Sequence, residues 1–317
     1  MVRTLMRIAL FVLLFTAFGL QVEAQKKGKS TVLQAVEPDD ALYDAQIRLT
    51  ELMYWSQYAD SLFERNDANY LFIRNLVQAL RLPGAFDFEF DSLRYISKLY
   101  TPDRKYRIFS WQVKQDFSWR HFGCILTNEA EPRIIPLIDQ SDRFINRDDT
   151  SLGPKSWYGA GYYAIVPEIY KVKGITYYTL LGYDPHEPFS QRKMIDILWF
   201  DKNGEVHFGA PMLLRPDGLK HRFIIEYAGD VAVQLRYDSF AKKIVFDHLI
   251  ARNEENKGFG FDDVPDGSFN AFVWKKGKWV FEDNIDLRAP ASAPVAAPTP
   301  ARDQGEQKRQ SGLLPED

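Results

Sequence analysis

A chain of 317 residues that is 45% hydrophobic, 26% charged and 15% aromatic can bury a large core, in one domain or two. Its formal charge of −3 at pH 7 gives no electrostatic case for nucleic acid or an anionic membrane as partner. With Cys124 as its one cysteine, the chain forms no intramolecular disulfide, so packing alone must hold the fold.

The first 24 residues read as a signal peptide. Arg3 and Arg7 form a charged start, Ile8 to Leu20 is apolar, and Val22-Glu23-Ala24 places small residues where a signal peptidase cuts, after Ala24. The run is too short for a stable membrane span. The expectation is an exported chain, periplasmic or secreted, that does not span the membrane once cut. Residues 25–38 are basic, then polar, and read as a flexible lead.

Residues 39–100 read as helical. Asp39 or Asp40 can cap a helix, with its charge favourable at that end of the dipole. Leu42, Ala45, Leu49, Leu52, Ser56, Ala59 and Phe63 then recur at spacings of three and four, one continuous apolar stripe that Asn66-Asp67 should break. A second helix with Ile73, Leu76, Val77 and Leu80 inward runs to Pro83-Gly84, making a helical hairpin. A short third helix is expected over Ser92–Tyr100, closed by Thr101-Pro102-Asp103.

Over residues 101–288 the period changes to two. Val231, Val233, Leu235 and Tyr237 alternate with Ala232, Gln234, Arg236 and Asp238, the pattern of a half-buried antiparallel strand. Further strands are expected at Tyr106–Val113, Trp119–Leu126, Arg133–Ile138, Tyr162–Val166, Ile175–Tyr183, Lys193–Phe200, His221–Tyr227, Lys243–Leu249, Phe269–Lys275 and Lys278–Glu282. Lys173-Gly174, Asn203-Gly204, Pro216-Asp217-Gly218 and Lys276-Gly277 supply turn chemistry between them. Without helical crossovers the strands should pair antiparallel with their sequence neighbours. Residues 289–317 turn to Ala and Pro, then to charge, and read as a disordered tail. The predicted fold is α+β: an N-terminal helical hairpin and a large antiparallel β meander forming a sandwich, barrel or partial propeller.

Phe90-Asp91-Ser92-Leu93, Thr101 to Ile108, Tyr177 to Asp184, Phe208-Gly209-Ala210-Pro211, Arg236 to Asp238, Val245 to Leu249 and Lys276 to Trp279 form a set of stretches. Together they resemble an exported family of Bacteroidetes whose members are uncharacterised. The resemblance covers most of Leu42 to Asp286. It implies export and these domain limits, and it supplies no active site.

Candidate sites are few. Trp157-Tyr158-Gly159-Ala160-Gly161-Tyr162-Tyr163 sets aromatics beside glycines, which suits stacking on a sugar or proline face as well as tight core packing. Asp184-Pro185-His186-Glu187 is the densest group of potential ligands, yet no His-x-His or His-Glu-x-x-His spacing supports a metal, and a polar loop tip is the plainer reading. Trp157, Tyr158, Tyr162, Asp184 and His186 therefore form the candidate binding surface. Cys124 reads as a buried strand residue, and His248 as a core or interface histidine beside Asp247. Asp262 to Gly267 resembles the opening of a calcium loop but lacks the twelfth-position carboxylate, where Val273 stands. Nothing calls for a cofactor, a metal or a catalytic residue. The preferred function is a non-catalytic exported envelope protein that binds or scaffolds an envelope protein or glycan. One alternative is a hydrolase of glycan or peptide using Asp184, Glu187, Asp247, Asp262 and Asp263; another is a sugar- or peptide-binding module using exposed aromatics.

Overall fold

The computed structural model describes residues 38–143 and 148–286. The signal peptide with its cut after Ala24, the lead up to residue 37 and the Ala/Pro-rich tail lie outside the described residues.

Helices α1 (Pro38–Tyr58) and α2 (Leu62–Ala79) form the expected hairpin. The break comes earlier than Asn66-Asp67, which lie inside α2. Ser61 is the N-cap: its hydroxyl accepts from the Glu64 N–H at 3.2 Å, and the Glu64 carboxylate accepts from the Ser61 N–H at 3.3 Å. This reciprocal pair satisfies two donors that a helix start leaves open. Arg65 fixes the turn by donating to the carbonyls of Ala59 and Asp60. Phe63, on the far side of the break, leaves the stripe and is 80% exposed. Leu42, Leu49, Met53, Phe72 and Leu76 carry the buried face.

The helix expected over Ser92–Tyr100 is instead a turn followed by strand β1 (Ser97–Tyr100). Lys98 crosses back to donate to the carbonyls of Phe90 and Leu93, which closes that turn. Strand β1 opens an antiparallel sheet with β2 (Tyr106–Lys114), β3 (Trp119–Thr127) and β4 (Ile134–Ile138), paired in that order. Alternation splits its side chains. Phe109, Trp111, Val113, Cys124 and Leu126 pack under the helices, while Ile108, Ile125 and Leu137 face the other way. Arg107 is fully buried on the helical side, where it donates to the carbonyls of Ala85, Phe86 and Phe88 and so anchors that connection.

The second sheet comprises β5 (Gly161–Ile165), β6 (Tyr170–Val172), β7 (Ile175–Glu187), β8 (Ser190–Phe200) and β9 (Val206–Phe208), joined by a strand from further along the chain. The third begins with β10 (Leu213–Arg215) and β11 (Gly218–Lys220). The chain then returns as β12 (Phe223–Ala228), pairing with β8, before β13 (Leu235–Asp238), β14 (Lys243–Ala251), β15 (Asp263–Lys275) and β16 (Lys278–Glu282) complete the third sheet. The order of the second is β12-β8-β7-β5; that of the third is β11-β10-β16-β15-β14-β13. Thus the pairing is largely antiparallel, but not purely between sequence neighbours: β10 and β16 run parallel. The sheets stack and none closes into a barrel.

Strands β7 and β8 are covered on both faces. Tyr178, Leu180, Met194 and Leu198 meet the first sheet, while Leu181, Ile195 and Ile197 meet Ile244, Phe246, Phe272 and Trp279 of the third. Burial on two sides explains why these strands read as apolar runs rather than clean alternation. The Lys173-Gly174 and Lys276-Gly277 turns adopt the paired positive φ values of hairpin turns, 50° and 82°, then 48° and 82°. The strand expected from Val231 starts only at Leu235. The Asp247 carboxylate accepts the Gln234 N–H at 2.6 Å, beside a register shift in β14, so residues 231–233 run outside the ladder. No helix among the described residues is long and apolar enough to cross a membrane.

Candidate functional site

A cleft of about 800 Å³ opens where the first sheet, the second sheet and the irregular 231–233 segment meet. Period two decides its floor. Gln191 and Lys193 share one face of β8; Tyr183 of β7 stands opposite Lys193, and Tyr227 of β12 opposite Gln191. The cleft continues past Gly161 and Tyr163 on edge strand β5 to Ser110 and Gln112 of β2, Ser97 of β1, and Gln57, Arg94 and Tyr95.

The floor is held in place. Tyr183 and Tyr227 donate their hydroxyls to the Gln191 Oε1 at 3.2 and 3.3 Å, and the Gln191 amide donates to the Gly229 carbonyl at 3.0 Å. Tyr163, 40% exposed, donates to the Leu235 carbonyl, which fixes its ring at the rim. Burial raises the phenol pKa of Tyr163, Tyr183 and Tyr227 above the ordinary value, so all three are hydroxyl donors across the physiological range. Lys193 lies half-buried, with its ammonium 5.7 Å from the Tyr163 ring centre. Burial lowers its pKa and the charge of Asp247 opposes that shift. Above the rim, Tyr58 and Tyr95 share a hydroxyl–hydroxyl contact of 3.0 Å, and the Tyr54 ring lies tilted, 5.0 Å from that of Tyr58. A second hollow of about 300 Å³ there shares Arg94 and Tyr95 with the cleft.

Of the residues singled out in the sequence as a binding surface, Tyr162 borders the cleft and the others lie elsewhere. Trp157, Tyr158 and Tyr162 are at most 1% exposed, so they present no recognition surface. They plug the space between the first two sheets, where a hydrogen-bond chain satisfies the polar tips of Trp157 and Tyr162. Trp157 Nε1 donates to the Tyr162 hydroxyl at 2.9 Å, and that hydroxyl donates to Asp196 at 3.0 Å. Asp196 faces Arg222, both fully buried, and the guanidinium also donates to the carbonyls of Thr150 and Phe208. Gly209 at φ 82° permits that approach, since a Cβ there would stand 2.7 Å from Arg222 Nη2.

Asp184 and His186 are not a loop tip; both lie within β7, at a bulge where His186 takes φ 48°. Asp184 faces away from the cleft and enters a buried polar row. His121 Nδ1 lies 3.3 Å from Asp139, its Nε2 3.4 Å from Asp184, and Arg192 lies 3.9 Å from Asp184 and 2.7 Å from Glu226. Burial and the charge of Arg192 lower the His186 pKa, against the pull of Asp184. His186 also reaches Glu187 at 3.4 Å.

The other carboxylates are already committed. Asp247 holds Gln234, Asp262 accepts from Asn253 and Asn256, and Asp263 begins β15, which turns the calcium-like stretch largely into strand. Asp184 and Glu187 are thus brought together by His186, while none of the five lines the cleft. His248 is part-exposed and pairs with Asp266 at 3.3 Å rather than entering the core. Cys124 is buried, and burial pushes its thiol up to about 12.

Among the cleft residues, Tyr163 belongs to the aromatic stretch noted in the sequence, whereas Tyr95, Tyr183, Gln191, Lys193 and Tyr227 were not picked out as a binding surface. The signal was there in part: Gln191-x-Lys193 puts two polar side chains on one face just where β8 becomes apolar. Comparison with family models, with curated proteins and with solved structures finds no match for this chain.

Proposed function

We propose that the chain is a non-catalytic exported binding protein that holds a saccharide in this cleft. The observation that carries this reading is the fixed constellation of Tyr183, Gln191 and Tyr227 beside the exposed Tyr163 ring. Flat rings stack on the apolar face of a sugar, and amides and phenols match its hydroxyls. Hydrolysis of a glycan would call for two carboxylates roughly 5–10 Å apart across the cleft, and the described lining offers tyrosine, glutamine, serine and cations instead. An extended peptide would add to a sheet edge. Yet edge strands β1 and β5 pass within 8 Å of each other, less than the roughly 9.5 Å that two strand spacings require. Export rests on the reading of the first 24 residues.

A glycan array probed with residues 25–317 tests the reading. Saccharide binding should fall about tenfold or more in Tyr163→Ala, at the cost of one stacking ring. Turnover of any bound glycan, or binding unchanged in Tyr163→Ala and Gln191→Ala alike, would overturn it.

A further inference from the structure

The charges around the cleft deepen that reading, on which this inference rests. Arg94 and Lys193 are the charged residues among the described lining, and both are cationic. Neither makes an ion pair among the described residues. Arg94 is exposed at the mouth, and it borders the adjoining hollow as well. Lys193 stands deeper, half-buried, on the floor beside Tyr183. The acid whose charge reaches it, Asp247, spends its carboxylate on the Gln234 N–H and forms no bridge to the lysine. A half-buried ammonium without a counter-ion is an unusual thing for a fold to keep, because removing water from a charge is costly unless a partner replaces it. Several other part-buried cations of the molecule do have partners: Arg192 pairs with Glu226, Lys243 with Glu282 and Lys220 with Asp149, while Lys98 and Arg107 donate to backbone carbonyls.

We propose that the cleft is built for an acidic saccharide, whose carboxylate or other anionic substituent reaches Lys193 on the floor while Arg94 engages a second anionic group at the mouth. The sugar rings lie against Tyr163 and Tyr95, so the charge selects among glycans that the tyrosines accept. The shared hollow beyond Arg94 fits a polymer that runs on past the cleft rather than a single residue.

Calorimetry with the full mature chain separates the two layers of the argument. The probes are oligogalacturonate, its carboxyl-reduced neutral counterpart and dextran sulfate. At least one acidic probe should bind tenfold or more tightly than the neutral oligomer, and its affinity should fall as salt is raised. Lys193→Gln should lose tenfold or more of that affinity and Arg94→Gln less, with the melting temperature of each variant unchanged as the control for folding. Equal binding of the acidic and neutral oligomers overturns the inference while leaving saccharide binding standing. Failure of every glycan, on this panel and on the array, overturns both.

Discussion

Two faces of one short stretch of sheet invite comparison. On β8, Gln191 and Lys193 point one way and Arg192 the other. The side with Arg192 is sealed: Asp184, Arg192 and Glu226 line up directly across three strands, and His121 and Asp139 extend the row from the neighbouring sheet. The side with Lys193 is open, and among the described residues its cation has no such partner. Neighbouring residues of similar chemistry thus meet opposite surroundings, one set in a polar row that His121 ties to the first sheet and the other facing the open cleft. Composition does not separate them; the pairing does.

The largest expected effect breaks the sealed side. Arg192→Ala would leave the Asp184 and Glu226 carboxylates without their cation, and should cost about 3 kcal/mol of unfolding free energy in urea denaturation. Lys193→Ala, one residue away, should change stability by no more than about 0.5 kcal/mol. Comparable losses in the two variants would abolish the contrast.

Gly159→Ala probes the same sealed row from its end. Gly159 has φ 80°, and a Cβ there would lie 2.5 Å from the Asp139 carboxylate. A loss of about 2 kcal/mol is expected, from backbone strain and the displaced carboxylate together.

Acid sharpens the comparison further. Burial alone would raise the pKa of Asp139 and of Glu226. Hydrogen bonding and charge from His121 outweigh it for the first, and from Arg192 for the second, so both lie below the ordinary value. Depressed folded pKa values mean that the stability they give is fully present above the unfolded carboxylate range, near pH 4, and drains as pH falls through the folded values. Between about pH 5 and about pH 2, Arg192→Ala should therefore lose less stability than the parent. A parallel fall in both proteins would show that Arg192 does not set the Glu226 pKa.

The smallest effect concerns Cys124, which packs with Phe109 and Leu126 under the helices. With its thiol pushed up to about 12, it should stay unreactive toward a thiol reagent at pH 8 until the protein unfolds. Labelling at the rate of a free thiol in the native protein would place it outside the core.

Much of the architecture was legible because it follows local rules. The hairpin, the period-two strands and the Lys-Gly turns declare themselves through spacing and through residues that tolerate positive φ. The capping box at Ser61 and Glu64 is written in the sequence but went unread, because the apolar stripe ran across it and drew the helix too far, to Phe63 and beyond. Tertiary contacts decided the rest. The aromatic segment around Trp157 looked fit for stacking on a ligand, yet its glycines serve close packing, and the Tyr162–Asp196 bond that fixes it spans 34 residues of sequence. Asp247 could not be foreseen as the group that pulls Gln234 out of a ladder. The cleft was invisible for a similar reason, since its floor joins three strands and its rim adds β1, β2 and α1.

The place of β16 governs when this protein can become whole. It lies between β10 and β15, and its Trp279 donates to Thr179 in the middle of the second sheet. The hairpin β10–β11 therefore has no neighbour to join until residues 278–282 have been made. A copy cut short before Lys278 would leave that innermost seam unsealed, however much of the molecule had already been built.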